Sequence, residues 1–203
     1  MGLFDKLFGG GKKKVSQETT EARGLHMPDL KIPVDEKFTI NFKKNGGKFI
    51  YCDSLKEVKN TLINIINENN WHEAIFFSMD ERLEKKFSKE NIKFTQKPKE
   101  SPVFFTTCEY LIAQNGSILI CSNQLKDRKL SELPDNFIVY ATTSQLTDSI
   151  GEGLKNIKKK YTNHIPANIT TIKNFQMKAE NKDDFLSYGS SSKNLYLLLL
   201  EDL

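Results

Sequence analysis

Leu195-Tyr196-Leu197-Leu198-Leu199-Leu200 is a run of six apolar residues with no polar alternation. A strand with one wet face alternates apolar and polar side chains, whereas a strand covered on both faces need not. The run therefore predicts a central strand of a parallel sheet sandwiched by helices. Parallel neighbours need crossover connections, so the rest of the chain should alternate strand and helix. It does so from about residue 26. Ser54-Leu55-Lys56-Glu57 is a capping box, and Leu55, Val58, Leu62, Ile65 and Ile66 mark one face of the helix that follows. Ala74-Ile75-Phe76-Phe77 reads as a short buried strand. Ser78 and Glu81 repeat the box for a helix carrying Met79, Leu83 and Phe87, and Val103-Phe104-Phe105 is a further strand.

Tyr110–Gln114 and Ser117–Cys121 flank Asn115-Gly116, the dipeptide that favours a type I′ turn because both corners need positive φ. A β-hairpin is predicted there. Asn136 to Ala141 is a strand, after which Thr142 or Thr143 is expected to cap a helix with Leu146, Ile150, Leu154 and Ile157 on its inner face. Lys155, Lys158, Lys159 and Lys160 give that helix a solvated cationic end suited to the macrodipole. Ile169 to Ile172 adds another strand. The fold class implied is α/β: a three-layer sandwich with a mainly parallel sheet and an inserted β-hairpin.

Composition narrows the function. In 203 residues, 38% are hydrophobic and 14 are Phe, enough to fill a core. No apolar stretch approaches the roughly 20 residues that span a bilayer, so the chain reads as soluble. A net charge of +4 is too small to argue for nucleic acid without clustering. The basic segment Lys85–Lys99 is diluted by Glu81, Glu84, Glu90 and Glu100. Cys52, Cys108 and Cys121 stand far apart with no CxxC pair, so no metal or cofactor is expected, and free thiols suit a reducing cytoplasm. No phosphate loop, dinucleotide fingerprint, HExxH or GxSxG sequence occurs. Residues 1–25 read as a tail. Leu3, Phe4, Leu7 and Phe8 followed by Lys12–Lys14 could form a foot on an anionic surface, but two turns are marginal as an isolated helix. Membrane contact through residues 1–14 is not expected. The domain is placed at 26–203.

Ligands of open α/β sheets collect beyond the carboxyl ends of the strands. The segments that can occupy this rim are Thr106-Thr107-Cys108-Glu109, the hairpin turn, Ser122-Asn123-Gln124, Thr142-Thr143-Ser144 and the stretch from Ile172 onward. Expected ligand contacts are Thr106, Thr107, Gln114, Asn115, Gly116, Ser117, Thr142, Thr143 and Ser144, the last three because a helix N-terminus favours a carboxylate or phosphate. Glu109 is the rim carboxylate with a claim to general-base catalysis. Cys108 is a poor nucleophile candidate, since its neighbour is negative. His26, His72 and His164 form no nucleophile motif.

The segment from Thr106 through Leu119 resembles the strand, turn and return strand of the LUD domain, named for lactate utilisation, and of the lactate-utilisation protein C. Leu133–Tyr140, the helical stretch from Thr142 to Lys160, and Ile169–Ile172 continue the resemblance in order. It implies a fold like that of sugar-phosphate isomerases and CoA transferases. It also implies a non-redox accessory or binding subunit of lactate or organic-acid utilisation, with partner proteins that carry flavin or iron–sulfur centres. The alternative is an isomerase- or transferase-like enzyme using Thr107, Glu109, Gln114, Asn115, Gly116, Ser117 and Thr143 on a small phosphorylated or carboxylated metabolite. Two departures separate this chain from the family pattern. Gln114 stands where the family commonly has Glu, and an amide is neither nucleophile nor base. A glycine-rich, Arg-bearing turn expected after Ile172 is replaced by Lys173–Lys178 and a polar stretch through Ser192.

Overall fold

The computed structural model describes residues 32–90, 92–175 and 193–203. The apolar hook near the N-terminus, His26 and the stretch 176–192 lie outside them. In chain order the elements are α1 (Val34–Lys44), β1 (Lys48–Cys52), α2 (Leu55–Glu68), β2 (Ile75–Phe77), α3 (Glu81–Phe87), β3 (Lys93–Thr95), β4 (Val103–Thr107), β5 (Tyr110–Ile112), β6 (Ser117–Ile120), α4 (Ser122–Leu125), β7 (Asn136–Thr142), β8 (Leu146–Thr147), α5 (Ile150–Lys160), β9 (Thr170–Ile172) and β10 (Asn194–Leu200).

Six strands form one parallel sheet in the order β1-β10-β7-β4-β2-β3. The apolar run is its second strand, registered with β7 from Asn194 opposite Asn136 to Leu200 opposite Thr142. Its side chains part to two cores as a period of two demands. Leu195, Leu197 and Leu199 join Phe137, Val139 and Phe104 on one face. Tyr196 and Leu198 join Ile138, Phe105 and Val103 on the other, where Val58, Leu62 and Ile65 of α2 and Leu83 and Phe87 of α3 cover them. The first face is covered by Phe38 and Phe42 of α1 and by a second sheet, β8-β5-β6-β9, which holds the hairpin. α5 closes that sheet from outside, with Ile157 against Ile112 and Leu119. The result is a three-layer α/β sandwich.

Three local expectations are corrected. The hairpin loop is not a two-residue type I′ turn. The last pair is Ile112 with Ser117, the loop is the four residues 113–116, and within it Gly116 alone has positive φ, at 64°. The cause is α1. Asn41 Nδ2 donates to the carbonyls of Ala113 and Gln114, and Asn45 Nδ2 donates to those of Asn115 and Gly116, so the loop opens to present four acceptors. Asn115 Oδ1 then accepts from the Ser117 amide and hydroxyl.

Helix α3 is capped by Asp80, not Ser78. The Asp80 carboxylate accepts from the amides of Arg82 and Leu83 at 2.9 and 3.3 Å, whereas Ser78 is buried and accepts from Asp80 N. Finally, Thr142 and Thr143 cap no long helix. β7 runs on to Thr142, and Leu146-Thr147 is captured as a strand by Leu111 and Ile112 of β5. α5 starts only at Ile150. Its cap is Ser149, which accepts from Glu152 N at 3.3 Å while Glu152 Oε2 accepts from Asp148 N at 3.1 Å. Ser149→Ala is expected to cost about 1 kcal/mol of stability in urea unfolding.

Candidate functional site

Adjacent strands β2 and β4 leave the sheet in opposite directions. β2 leads through α3 outward to β3, while β4 leads into the hairpin and on to β7. Such a divergence leaves a crevice beyond the carboxyl ends of the two strands, where α/β folds bind ligands. A cleft of about 600 Å³ occupies this place. Met79 to Arg82 wall it from the β2 side and Thr107, Cys108 and Glu109 from the β4 side, with Asn123, Gln124, Gln145, Lys160 and Tyr161 from beyond the hairpin. A larger depression of about 910 Å³ lies at the opposite ends of β4 and β7, among Pro98, Pro102 and Pro134. The crevice is the better candidate because crossovers converge on it and buried polar groups face one another there.

Glu109 is the centre of that convergence. It sits just past β4, its amide donates to Leu119 O, and its side chain is 1% exposed. Oε1 accepts from Asn123 Nδ2 at 3.0 Å, Gln124 Nε2 at 3.1 Å and the Cys121 thiol at 3.3 Å. Oε2 accepts from Lys160 Nζ at 3.1 Å, and the Tyr161 hydroxyl lies 3.1 Å from both oxygens. Burial by itself would raise this carboxyl, but the hydrogen bonds from Asn123, Gln124 and Lys160 and the Lys160 charge outweigh it and hold it at about 2. Lys160 moves the other way: burial by itself would lower its ammonium, but the bonds to Glu109 and Tyr161 outweigh it and raise it above its ordinary value. A carboxylate so supplied with donors stays ionised and is a weak base at neutral pH.

The thiols beside it are held in their protonated form. Burial, then the Glu109 charge, push the Cys108 thiol far above its ordinary range. Burial likewise lifts Cys121 to about 12. Among the described residues no group of three or more His, Cys, Asp or Glu could hold a metal, and His72 and His164 are exposed.

The structure disperses the remaining residues singled out in the sequence. Thr107 lines the cleft, whereas Thr106 is buried in β4 with its hydroxyl donating to Thr107 O. Gln114, Asn115 and Gly116 lie in the loop docked on α1, and Ser117 opens β6 with its hydroxyl donating to Asn115 Oδ1, all away from Glu109. Thr142, Thr143 and Ser144 face the chain's own carboxylates. Asp202 accepts from Thr143 Oγ1 at 2.9 Å, Ser144 N at 2.8 Å and Ser144 Oγ at 2.7 Å. These bonds outweigh burial and hold the Asp202 carboxyl below its ordinary value. Glu201 accepts from Thr143 Oγ1 and from the Tyr51 hydroxyl. The rim is thus latched above β1, β10 and β7 and open above β4 and β2. Gln145 joins the halves, its amide donating to Cys108 O at 2.6 Å and Glu109 O at 3.2 Å.

Lys160 was legible only as part of the cationic end of a helix and Cys121 as an isolated thiol, and Tyr161 carried no signal of its own. Nothing in their spacing links them to Glu109, which lies 51 residues from Lys160.

A sequence profile described as LUD domain matches residues 36–200. A search of curated proteins gives no match. Among solved structures, a DUF162 family protein from Deinococcus radiodurans, determined at 1.70 Å, aligns with a TM-score of 0.58 at 12% identity, over 83% of this chain and 96% of that one. At that identity the likeness speaks for the fold alone.

Proposed function

The chain belongs to the LUD domain family, and from that premise we propose that it is a non-redox accessory or binding subunit in lactate or related organic-acid utilisation. The cleft between β2 and β4 receives the acid. The carrying observation is the state of the groups there. Glu109, ionised and of low basicity, and Cys108, a buried neutral thiol, are both unsuited to bond-making, while Lys126 in the cleft lining is left to meet an anion, Arg82 and Lys160 being paired with Asp80 and Glu109. Electron transfer then belongs to flavin- or iron–sulfur-bearing partners, since the three cysteines stand isolated in the sequence. The protein works in the cytoplasm on this reading. Among the described residues no helix is long and apolar enough to cross a membrane.

Thermal unfolding of the purified protein with lactate, other hydroxy acids and sugar phosphates tests the reading. A ligand at 100 times its Kd adds about 2.7 kcal/mol of stability, so a clear rise in Tm is expected with at least one hydroxy acid. Affinity capture from cells should recover a redox partner. Oxidation of lactate by the protein alone with a dye acceptor would refute the accessory role. A second reading, an isomerase- or transferase-like enzyme, draws on the position of the cleft at the carboxyl ends of the strands. It requires turnover of a phosphorylated or carboxylated metabolite by the isolated chain.

A further inference from the structure

A second cavity of about 590 Å³ adjoins the cleft and shares Met79, Glu81 and Lys126 with it. Lys126 stands on this partition in a backbone conformation that L residues avoid, φ 52° and ψ −127°. It is the first corner of the turn Leu125–Arg128, closed by Arg128 N–H to Leu125 O at 3.1 Å. Glycine is the usual residue at a corner with these angles, because a Cβ is strained there. A chain with only a turn to make would be better served by glycine. A lysine held there at a cost in stability is the kind of outlier that marks function.

The surrounding charges say what the side chain meets. Asp80 is committed to the amides of α3, and Glu109 to its own donors, one of them from Lys160. Lys160 is paired with Glu109 at 3.1 Å and Arg82 lies 3.8 Å from Asp80, which leaves Lys126 as the cleft cation outside an ion pair among the described residues, with Glu81 beside it on the partition. Beyond Lys126 acidic side chains outnumber basic ones. The second cavity carries Glu81, Asp127 and Glu132 against Arg128, whose guanidinium lies over the Phe77 ring at 5.7 Å, together with the uncharged Gln96.

We infer that Lys126 is the anion-recognising residue of the cleft, and that the ligand is a hydroxylated monocarboxylate whose acid group meets Lys126 from the cleft while its uncharged polyol end extends into the second cavity. The acidic walls of that cavity reject a second anion. This assignment rests on the reading of the cleft as an organic-acid site and adds the residue, the length and the charge of the acid.

Calorimetric titration of the full chain with gluconate, lactate and malate tests it, with Lys126→Gly and Lys126→Met alongside. Gluconate should bind more tightly than lactate, and malate least well. Both variants should weaken gluconate binding tenfold or more. Lys126→Gly should raise Tm by about 2–4 °C by releasing the strain, whereas Lys126→Met, which keeps the Cβ, should leave Tm in place. Gluconate binding unchanged in both variants overturns the assignment to Lys126 and leaves the organic-acid reading standing. Tighter binding of malate overturns the monoanion. A Lys126→Gly protein no more stable than the wild type overturns the strain argument whatever binds. A wild-type chain that binds none of the three acids overturns this inference and the reading beneath it together.

Discussion

Glu109→Gln is expected to lower stability by about 3–5 kcal/mol, although the two side chains have nearly the same shape. The wild-type carboxylate only accepts, and every neighbour around it donates: the amides of Asn123 and Gln124, the Cys121 thiol, the Tyr161 hydroxyl and the Lys160 ammonium. A glutamine brings an NH2 group into that ring of donors, so one oxygen is lost as an acceptor and two donors face each other in a site with almost no water. Removing one partner of a buried set costs more than the pair contributes, because what remains is left unpaired. Lys160, half exposed, can turn to solvent, and Lys160→Met should therefore cost much less. The effect should be read in urea unfolding, with amide exchange rising at the C-terminal end of α5, which Glu109 ties to β4 and α4.

The same residue sets an acid limit. Its carboxyl is depressed in the folded state, from 4.5 to about 2. The stability it contributes is therefore complete above about 4.5 and lost as the pH falls toward 2, and it amounts to at most about 3 kcal/mol. In Glu109→Gln the stability–pH curve should be flatter over that interval.

How far the chain could be read in advance follows from where each signal lies. β10 and β7 were legible because a strand buried on both faces writes its environment into consecutive residues. α2 was legible because Ser54 and its apolar face are local. α1 was not. Its segment Phe38-Thr39-Ile40-Asn41-Phe42 alternates apolar and polar residues as a strand does, yet in the helix Phe38 and Phe42 are buried while Ile40 is 48% exposed. Its start at Pro33 also carries no side-chain cap. β8 was illegible for a different reason: Leu146-Thr147 is a strand only because β5 runs beside it. The candidate site follows the same division. Glu109 and the Asn123–Gln124 segment could be placed on the rim from strand order. The donors gathered around Glu109 come from separate segments and meet only through the topology of the second sheet. Likewise Thr143 and Ser144 were expected to meet a carboxylate or phosphate at a helix N-terminus, but the carboxylate they meet belongs to Asp202, 59 residues from Thr143.

Gly116→Ala should be at least as damaging, and for a reason that has nothing to do with ligand contact. A Cβ at this position would lie 2.3 Å from Asn41 C and 2.3 Å from Phe42 N, both backbone atoms of α1. No rotamer change relieves that overlap; the helix or the loop has to move. The φ of 64° adds about 1–2 kcal/mol of strain for an L residue. Moving α1 breaks the bonds from Asn41 and Asn45 to the loop carbonyls and lifts Phe42 from Phe175, whose ring centroid lies 4.7 Å away. The expected loss is more than about 3 kcal/mol, which for a chain of this size lowers Tm by roughly 6–12 °C. Gln114→Ala, two residues earlier on the exposed side of the same loop, should leave Tm almost unchanged, because that side chain makes none of the loop's contacts with α1. Near-UV circular dichroism of the Phe cluster would register the displaced helix directly. If Gly116→Ala cost no more than its φ strain, the close approach of loop and helix described here would be wrong, and the hairpin turn would return as a free part of the rim.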